Sequence, residues 1–260
     1  MRPVHKYRNI AVLRRGRSRY AEPRLKKDPK PMTHRLINAD CLEWLTTTTE
    51  RFDSVFADPP DDIGLKYDGF TDDFADYYGW CEQVLVQLLR VSPVVWWSFN
   101  AQHTIDMAAV VKRLGCMVKP CVQTFTFGQN RRTDLGNGHR PLWRLSSGTP
   151  PLYPEQVKVP SWRILNGDKR AASGGCVPLD VFDFPRVTGN SKQRRPWHPT
   201  QLHEGLVKRC IELSVRFERG YLQHSKVYYG QSTEHANMKT VLKPMTELYG
   251  TSHPRPTVPA

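Results

Sequence analysis

Apolar positions recur along the chain with two different periods. At residues 72–91, Phe74, Tyr78, Cys81, Leu85, Leu88 and Leu89 return every three or four positions behind an acidic start, which predicts a helix packing one face on a core. Residues 104–114 predict a second helix, closed by Gly115. Between them, Pro93-Val94-Val95-Trp96-Trp97-Ser98-Phe99 has the unbroken apolar character of a buried strand. Adjacent strand residues face opposite ways, so at most one of Trp96 and Trp97 can face any one pocket, and core packing is the better account of both. Ser54-Val55-Phe56-Ala57 reads as a further buried strand. His34-Arg35-Leu36-Ile37 reads as a strand before the turn Asn38-Ala39-Asp40 and a short helix at 42–45. Residues 117–127 alternate partially, as in a strand, and 141–145 are strand-like. Strand, helix, strand, helix, strand implies crossover connections and a mostly parallel sheet.

Polar and irregular stretches divide these elements. Residues 1–31 are dense in Arg and Lys without sustained periodicity, which predicts a disordered basic arm that adds phosphate contacts, or a start assigned too early, since Met32 directly precedes the first strand. Residues 128–140 form a Gly-rich basic loop. Residues 146–191 hold many Pro, Gly and Ser, and an irregular insertion of that length in a compact domain is usually functional. Leu202, Leu206, Val207, Cys210, Ile211 and Leu213 then mark another helix. The tail, 215–260, is modestly apolar and poorly periodic, and is not expected to join the sheet.

Composition narrows the class. At 260 residues, one α/β domain with an insertion is the natural size. A net charge of +13 favours a polyanionic partner such as nucleic acid, without choosing DNA over RNA. The 6 cysteines are scattered, with no CxxC pair and no histidine cluster at zinc spacing, so no metal site is expected and the thiols read as reduced, suiting a cytoplasm. No apolar run approaches the roughly 20 residues of a membrane span, and no secretory segment is visible.

Chemistry concentrates where the strand at 54–57 ends in Asp58-Pro59-Pro60-Asp61. Neither proline can donate to a sheet ladder, so the chain is stiffened where an acid is presented. Asp-Pro-Pro is also common turn material. At a strand's carboxyl end, however, open α/β sheets place their ligands. There the Asp58 carboxylate and the Pro59 carbonyl offer acceptors for the two hydrogens of an exocyclic amine, freeing the nitrogen lone pair for attack on a methyl donor.

This stretch resembles the fourth motif, [DNS]-P-P-[YFW], of the amino-methylating DNA methyltransferases. Asp61-Asp62-Ile63-Gly64-Leu65-Lys66-Tyr67 is similar to the family's continuation, except that Asp61 replaces the aromatic ring that stacks on the extruded base. Tyr67 or Phe70 would then supply the stacking. A second resemblance, Trp197-His198-Pro199-Thr200-Gln201, is similar to the family's H-P-[TA]-Q element, with Leu202-His203 in place of the usual Lys-Pro. In the permuted β-type order that element follows the recognition region, which here corresponds to 146–191; Asp180-Val181-Phe182 and Pro185-Arg186-Val187 resemble its closing stretch.

The resemblance implies a Rossmann-like α/β methyltransferase sheet, incomplete in one respect. The regions it implies are a catalytic region at 32–145, a recognition insertion at 146–191, a cofactor-side helix at 192–214 and a divergent tail at 215–260. It implies S-adenosylmethionine as cofactor, contacted by Asp40, Asp58, His198, Thr200 and Gln201; for Asp40, helix capping is an equal alternative. It implies catalysis by Asp58, Pro59, Pro60 and Asp61, on adenine N6 by the leading Asp or on cytosine N4. Arg131, Arg132, His139 and Arg140 would contact double-stranded DNA, His139-Arg140 standing where the family has a His-Glu pair. A partner restriction nuclease is the kind of partner implied; no membrane is. The family's glycine-rich D-P-F-x-G-x-G turn should follow residue 214, but the tail's glycines, 220, 230 and 250, are isolated. A reading frame lost after Ser214, or a degenerate terminus, would explain this. An inactive DNA-binding remnant and a methylase of RNA or protein are the alternatives.

Overall fold

The computed structural model describes residues 35–37, 39–67, 70–125, 133–170, 174–194, 200–216, 227–231 and 239–242. At its centre, β2 (Ser54–Asp58) and β5 (Val95–Ser98) are parallel neighbours, with Val55 beside Val95 and Ala57 beside Trp97. Every residue of both strands is buried. Their side chains alternate between two cores: Val55, Ala57, Val95 and Trp97 enter one, and Phe56 and Trp96 the other. The two tryptophans therefore pack on opposite faces, as their adjacency requires. The sheet is covered on both sides, which is why these strands read as unbroken apolar runs.

Three helices cover the first face. α1 (Cys41–Thr47) is capped by Asp40, whose Oδ1 accepts the Glu43 N–H at 2.9 Å. α2 (Tyr77–Val91) is the crossover that makes β2 and β5 parallel. It begins later than the apolar spacing suggests. Asp72 is buried, its backbone N–H and carbonyl pair with Leu65 and Gly64, and its carboxylate accepts the Leu65 N–H; Asp76 caps the helix instead. These contacts close the loop after Asp58, together with the short hairpin of β3 (Lys66–Tyr67) and β4 (Phe70–Thr71). α3 (Thr104–Leu114) ends as expected at Gly115, whose φ of 63° is left-handed. On the other face, α5 (Glu204–Ser214) is fastened to the sheet where the Trp96 indole N–H donates to Ser214 Oγ at 2.8 Å.

The sheet is mixed, not mostly parallel. β8 (His139–Ser146) runs antiparallel to β5, and both β6 (Met117–Lys119) and β7 (Val122–Thr124) run antiparallel to β8. The run expected as one strand at 117–127 is thus two, interrupted at Pro120, which has no N–H to give the ladder. The insertion contains α4 (Trp162–Leu165) and a bridge between Val159 and Cys176. Its end, β9 (Val181–Asp183), joins the sheet parallel to β7 and buries Phe182 in the second core.

The tail also departs from expectation. β10 (Val227–Gln231) lies parallel to β2, and β11 (Lys239–Leu242) bridges β10 to β1 (Arg35–Ile37) by antiparallel pairing. Their pairing with β2 and β1, far earlier in the chain, is a long-range contact that local periodicity does not report. Among the described residues no helix is long and apolar enough to cross a membrane.

Candidate active site

Asp58 is the last residue of β2 and Ser98 the last of β5, so the parallel pairing brings a carboxylate and a hydroxyl to one rim. β8 runs the other way and starts at that rim. Ser98 is level with Leu142, which places Arg140 two residues further out, over the strand ends. Its guanidinium links all three strands. Nε donates to Ser98 Oγ at 2.8 Å and Nη2 to Asp58 Oδ1 at 3.0 Å; Nη1 and Nη2 each donate to an oxygen of Asp61 at 2.8 Å. This is the fork geometry that arginine offers and lysine does not.

The cluster is nearly dry. The side chains of Asp58, Asp61 and Arg140 are 6%, 14% and 18% exposed. Burial pushes the Asp58 carboxyl up to about 6; Arg140 pulls against this, the Asp61 charge adds to it, and the Ser98 hydrogen bond opposes it. Desolvation works against the Arg140 charge, but Asp61 and Asp58 outweigh it and raise its pKa.

The loop after Asp58 is held from beneath. The Tyr77 hydroxyl donates to the Pro60 carbonyl at 2.8 Å, and His103 Nε2 donates to the Asp61 carbonyl at 2.6 Å. His103 Nδ1 lies 2.9 Å from the Tyr78 hydroxyl, which donates to Asp106 at 3.0 Å. Asp62 adopts a left-handed φ of 49°, and its carboxylate accepts the Phe74 N–H at 2.9 Å.

Above the rim lies a cleft of about 410 Å³. Asp58, Pro59, Asp61, His139 and Arg140 line it on the sheet side, and Thr200 and Gln201 line it from the segment leading into α5. Residues far apart in the chain, singled out from two separate motifs, therefore share one cavity. Gln201 is anchored by donating to the Gln193 carbonyl at 2.8 Å. The other sequence-derived residues fall elsewhere. Asp40 caps α1 and does not line the cleft. Pro60 has its carbonyl engaged by Tyr77. Arg140, read as a DNA contact, has its guanidinium on the two acids and Ser98. Arg131, Arg132 and His198 lie outside the described residues, as do the side chains of Tyr67 and Phe70.

Several cleft residues escaped the sequence reading. Asn100 lies just past the apolar strand β5, and the rule that ligands gather at strand ends would have found it; Ser98, the last residue of that strand, is buried and bonded to Arg140. Arg186 lies 5.4 Å from the Phe125 ring centroid, and both line the cleft. His203 caps α5, its Nδ1 accepting the Gly205 N–H at 3.0 Å. That bond requires an unprotonated Nδ1, and desolvation accordingly lowers the pKa of this imidazole.

No family model matches the chain. It is 25% identical over 199 residues to the Type II methyltransferase M.ScaI of Streptomyces caespitosus, a match covering 68% of this chain and 65% of that protein's length. Among solved structures it is similar to an M1.HpyAVI–SAM complex, with a TM-score of 0.42 and 15% identity over 69% of this chain and 76% of that one. It is also similar to M1.HpyAVI, with a TM-score of 0.39 and 12% identity over 69% and 75% of the two chains.

Proposed function

We propose that the chain is a DNA methyltransferase of the amino-methylating kind, moving a methyl group from S-adenosylmethionine to adenine N6 or cytosine N4. The observation that carries this reading is the placement of Asp58-Pro59 at the carboxyl end of a central strand, in one cleft with Thr200 and Gln201. The similarity to a Type II methyltransferase supports it, as does the net charge of +13 for a DNA partner.

The cleft suits the cofactor. Its volume lies within the range of small-molecule sites, and two carboxylates sharing one guanidinium leave the strand-end cluster with one net negative charge, which favours a cationic donor. Thr200 and Gln201 would hold it, and once bound it supplies an electrophilic methyl group. A target base drawn out of the duplex would enter over the rim. There Asp58 and the Pro59 carbonyl accept the two amine hydrogens, drawing the nitrogen out of conjugation with the ring so that its lone pair can attack. The surplus amine proton then leaves to solvent. Ser98 and Arg140 hold the Asp58 carboxylate in place, and the Tyr77 and His103 bonds keep the loop from yielding as the base enters.

A second reading, a DNA-binding remnant without methyl transfer, is favoured by the strand beside β2. β10 takes the place next to the catalytic strand, yet it ends Tyr229-Gly230-Gln231, without the glycine-rich turn that lets backbone approach a cofactor. Titration with S-adenosylmethionine separates the two: saturable binding supports the enzyme, and none supports the remnant. Tritiated methyl transfer compared among duplex DNA, RNA and protein then fixes the substrate class. Label confined to DNA is expected, and label confined to RNA or protein would overturn the DNA assignment.

A further inference from the structure

We propose that Arg140 is a positioning residue for Asp58: anchored by both oxygens of Asp61, its guanidinium clamps the catalytic carboxylate and maintains its negative charge between a second acid and a dry wall. This rests on the reading of Asp58 as the amine acceptor.

The geometry assigns nearly the whole guanidinium to this task. Of its five N–H groups, four are accounted for by Ser98, Asp58 and the two oxygens of Asp61. A guanidinium so engaged has no fork left for a phosphate, so its place in the basic loop sequence does not make it a DNA contact. Asp61 stands at the position after Pro-Pro and Arg140 directly after His139, and the two meet across the cleft floor as a reciprocal pair. Without Arg140, Asp58 and Asp61 would be two buried carboxylates at one rim, and one would take up a proton at neutral pH. A protonated Asp58 loses acceptor capacity for the amine. Without Asp61, Arg140 would turn its charge wholly to Asp58.

The charged and titratable groups near the pair come from each surrounding element. Asp61 and Arg140 touch Asp58 or its partner directly; His139 and His203 line the cleft from β8 and from the α5 cap, and Arg186 lines it from the end of the insertion. His103 meets the Asp61 carbonyl from the turn before α3. Arg140 is hydrogen-bonded to both carboxylates and Asp61 brings the neighbouring like charge, while Ser98 adds an uncharged hydroxyl to Asp58, so substitutions at Arg140 and Asp61 should dominate the titration of the cluster.

The test is the acid limb of the pH–rate profile for methyl transfer to duplex DNA, measured for the parent, Arg140→Gln, Arg140→Lys, Asp61→Asn and Arg140→Gln/Asp61→Asn. Arg140→Gln should move the limb up by about one pH unit or more, a roughly tenfold loss of rate at a fixed pH below it. Asp61→Asn should move it down, and the double variant should return it towards the parent. Arg140→Lys should hold the limb close to the parent while lowering the rate, since it keeps the charge and loses the fork. Limbs at the parental pH in both Arg140→Gln and Asp61→Asn would overturn the proposal. If Arg140→Gln does not fold, the downward shift in Asp61→Asn decides alone. A second readout does not depend on activity: the difference in thermal midpoint between each protein and its Asp58→Asn derivative, followed against pH, reports Asp58 ionisation directly. Absence of methyl transfer by the parent at every pH would refute the catalytic reading, while the stability readout would still decide whether Arg140 controls Asp58.

Discussion

Replacing Asp58 by Asn should make this protein more stable at neutral pH, although the residue is buried and hydrogen-bonded. The Asp58 side chain is 6% exposed, and burial carries its pKa from 3.8 to about 6 even with Arg140 against it. Because the folded pKa lies above the unfolded one, the native state binds this proton more tightly, so the fold gains stability as pH falls from about 6 towards 3.8. Above about 6 the penalty of holding the charge is fully present. At 1.36 kcal/mol per unit it amounts to about 3 kcal/mol, an order-of-magnitude upper figure. Asparagine resembles the neutral carboxyl and keeps an oxygen for the Arg140 N–H. The variant should therefore gain up to about 3 kcal/mol at a pH of about 7.5, at roughly 2–4 °C in Tm per kcal/mol for a chain of this size. The gain should shrink towards zero at a pH of about 4. Thermal unfolding of both proteins across that range, followed by circular dichroism, measures it. A variant less stable than the parent at neutral pH, or a difference that does not change with pH, would refute the argument.

Other predictions test the packing and the chemistry separately. Trp96→Phe should destabilise the fold by about 1–3 kcal/mol more than Trp97→Phe: both indoles are buried, but only Trp96 gives its N–H to Ser214, while that of Trp97 finds no partner among the described residues. Chemical denaturation of the two variants ranks them, and the reverse order would contradict the placement of the two faces. In the native protein a thiol reagent should modify Cys176 first, because it is exposed while Cys41, Cys81, Cys121 and Cys210 are buried with their pKa values pushed up by desolvation. Peptide mass mapping after brief labelling identifies the site, and early modification of Cys81 or Cys210 would contradict the fold. Gly115→Ala should cost about 1 kcal/mol, since its φ of 63° disfavours a side chain; a neutral effect on denaturation would contradict the left-handed cap.

Much of the fold was legible where one physical requirement dominated. The 54–57 and 94–99 runs are buried on both faces, so their lack of alternation is itself the signal, and α3 ends where its glycine permits. The mixed sheet was not legible, because strand direction is set by long-range pairing with β8 and leaves no mark on local periodicity. The same holds for β10 and β11, whose residues pair with strands formed far earlier in the chain. At the site, Asp58 declared itself through the prolines that follow it, and Thr200-Gln201 through its motif. The clamp could not be read, since Arg140 is 82 residues from Asp58 and in sequence is one more cation in a basic loop. Only antiparallel pairing brings it over the strand ends.

The central claim is that the Asp58 carboxylate receives the amine of a nucleobase that is being methylated. Its most direct test is transfer of labelled methyl to duplex DNA by the parent and by Asp58→Ala, with the product identified by nucleoside mass spectrometry. The account predicts labelled N6-methyladenine or N4-methylcytosine from the parent, and at least a tenfold loss in the variant, since a charge-assisted acceptor contributes about 1.5–3 kcal/mol and more when aimed at a transition state. A product methylated on carbon, or transfer by Asp58→Ala at the parental rate, would contradict it.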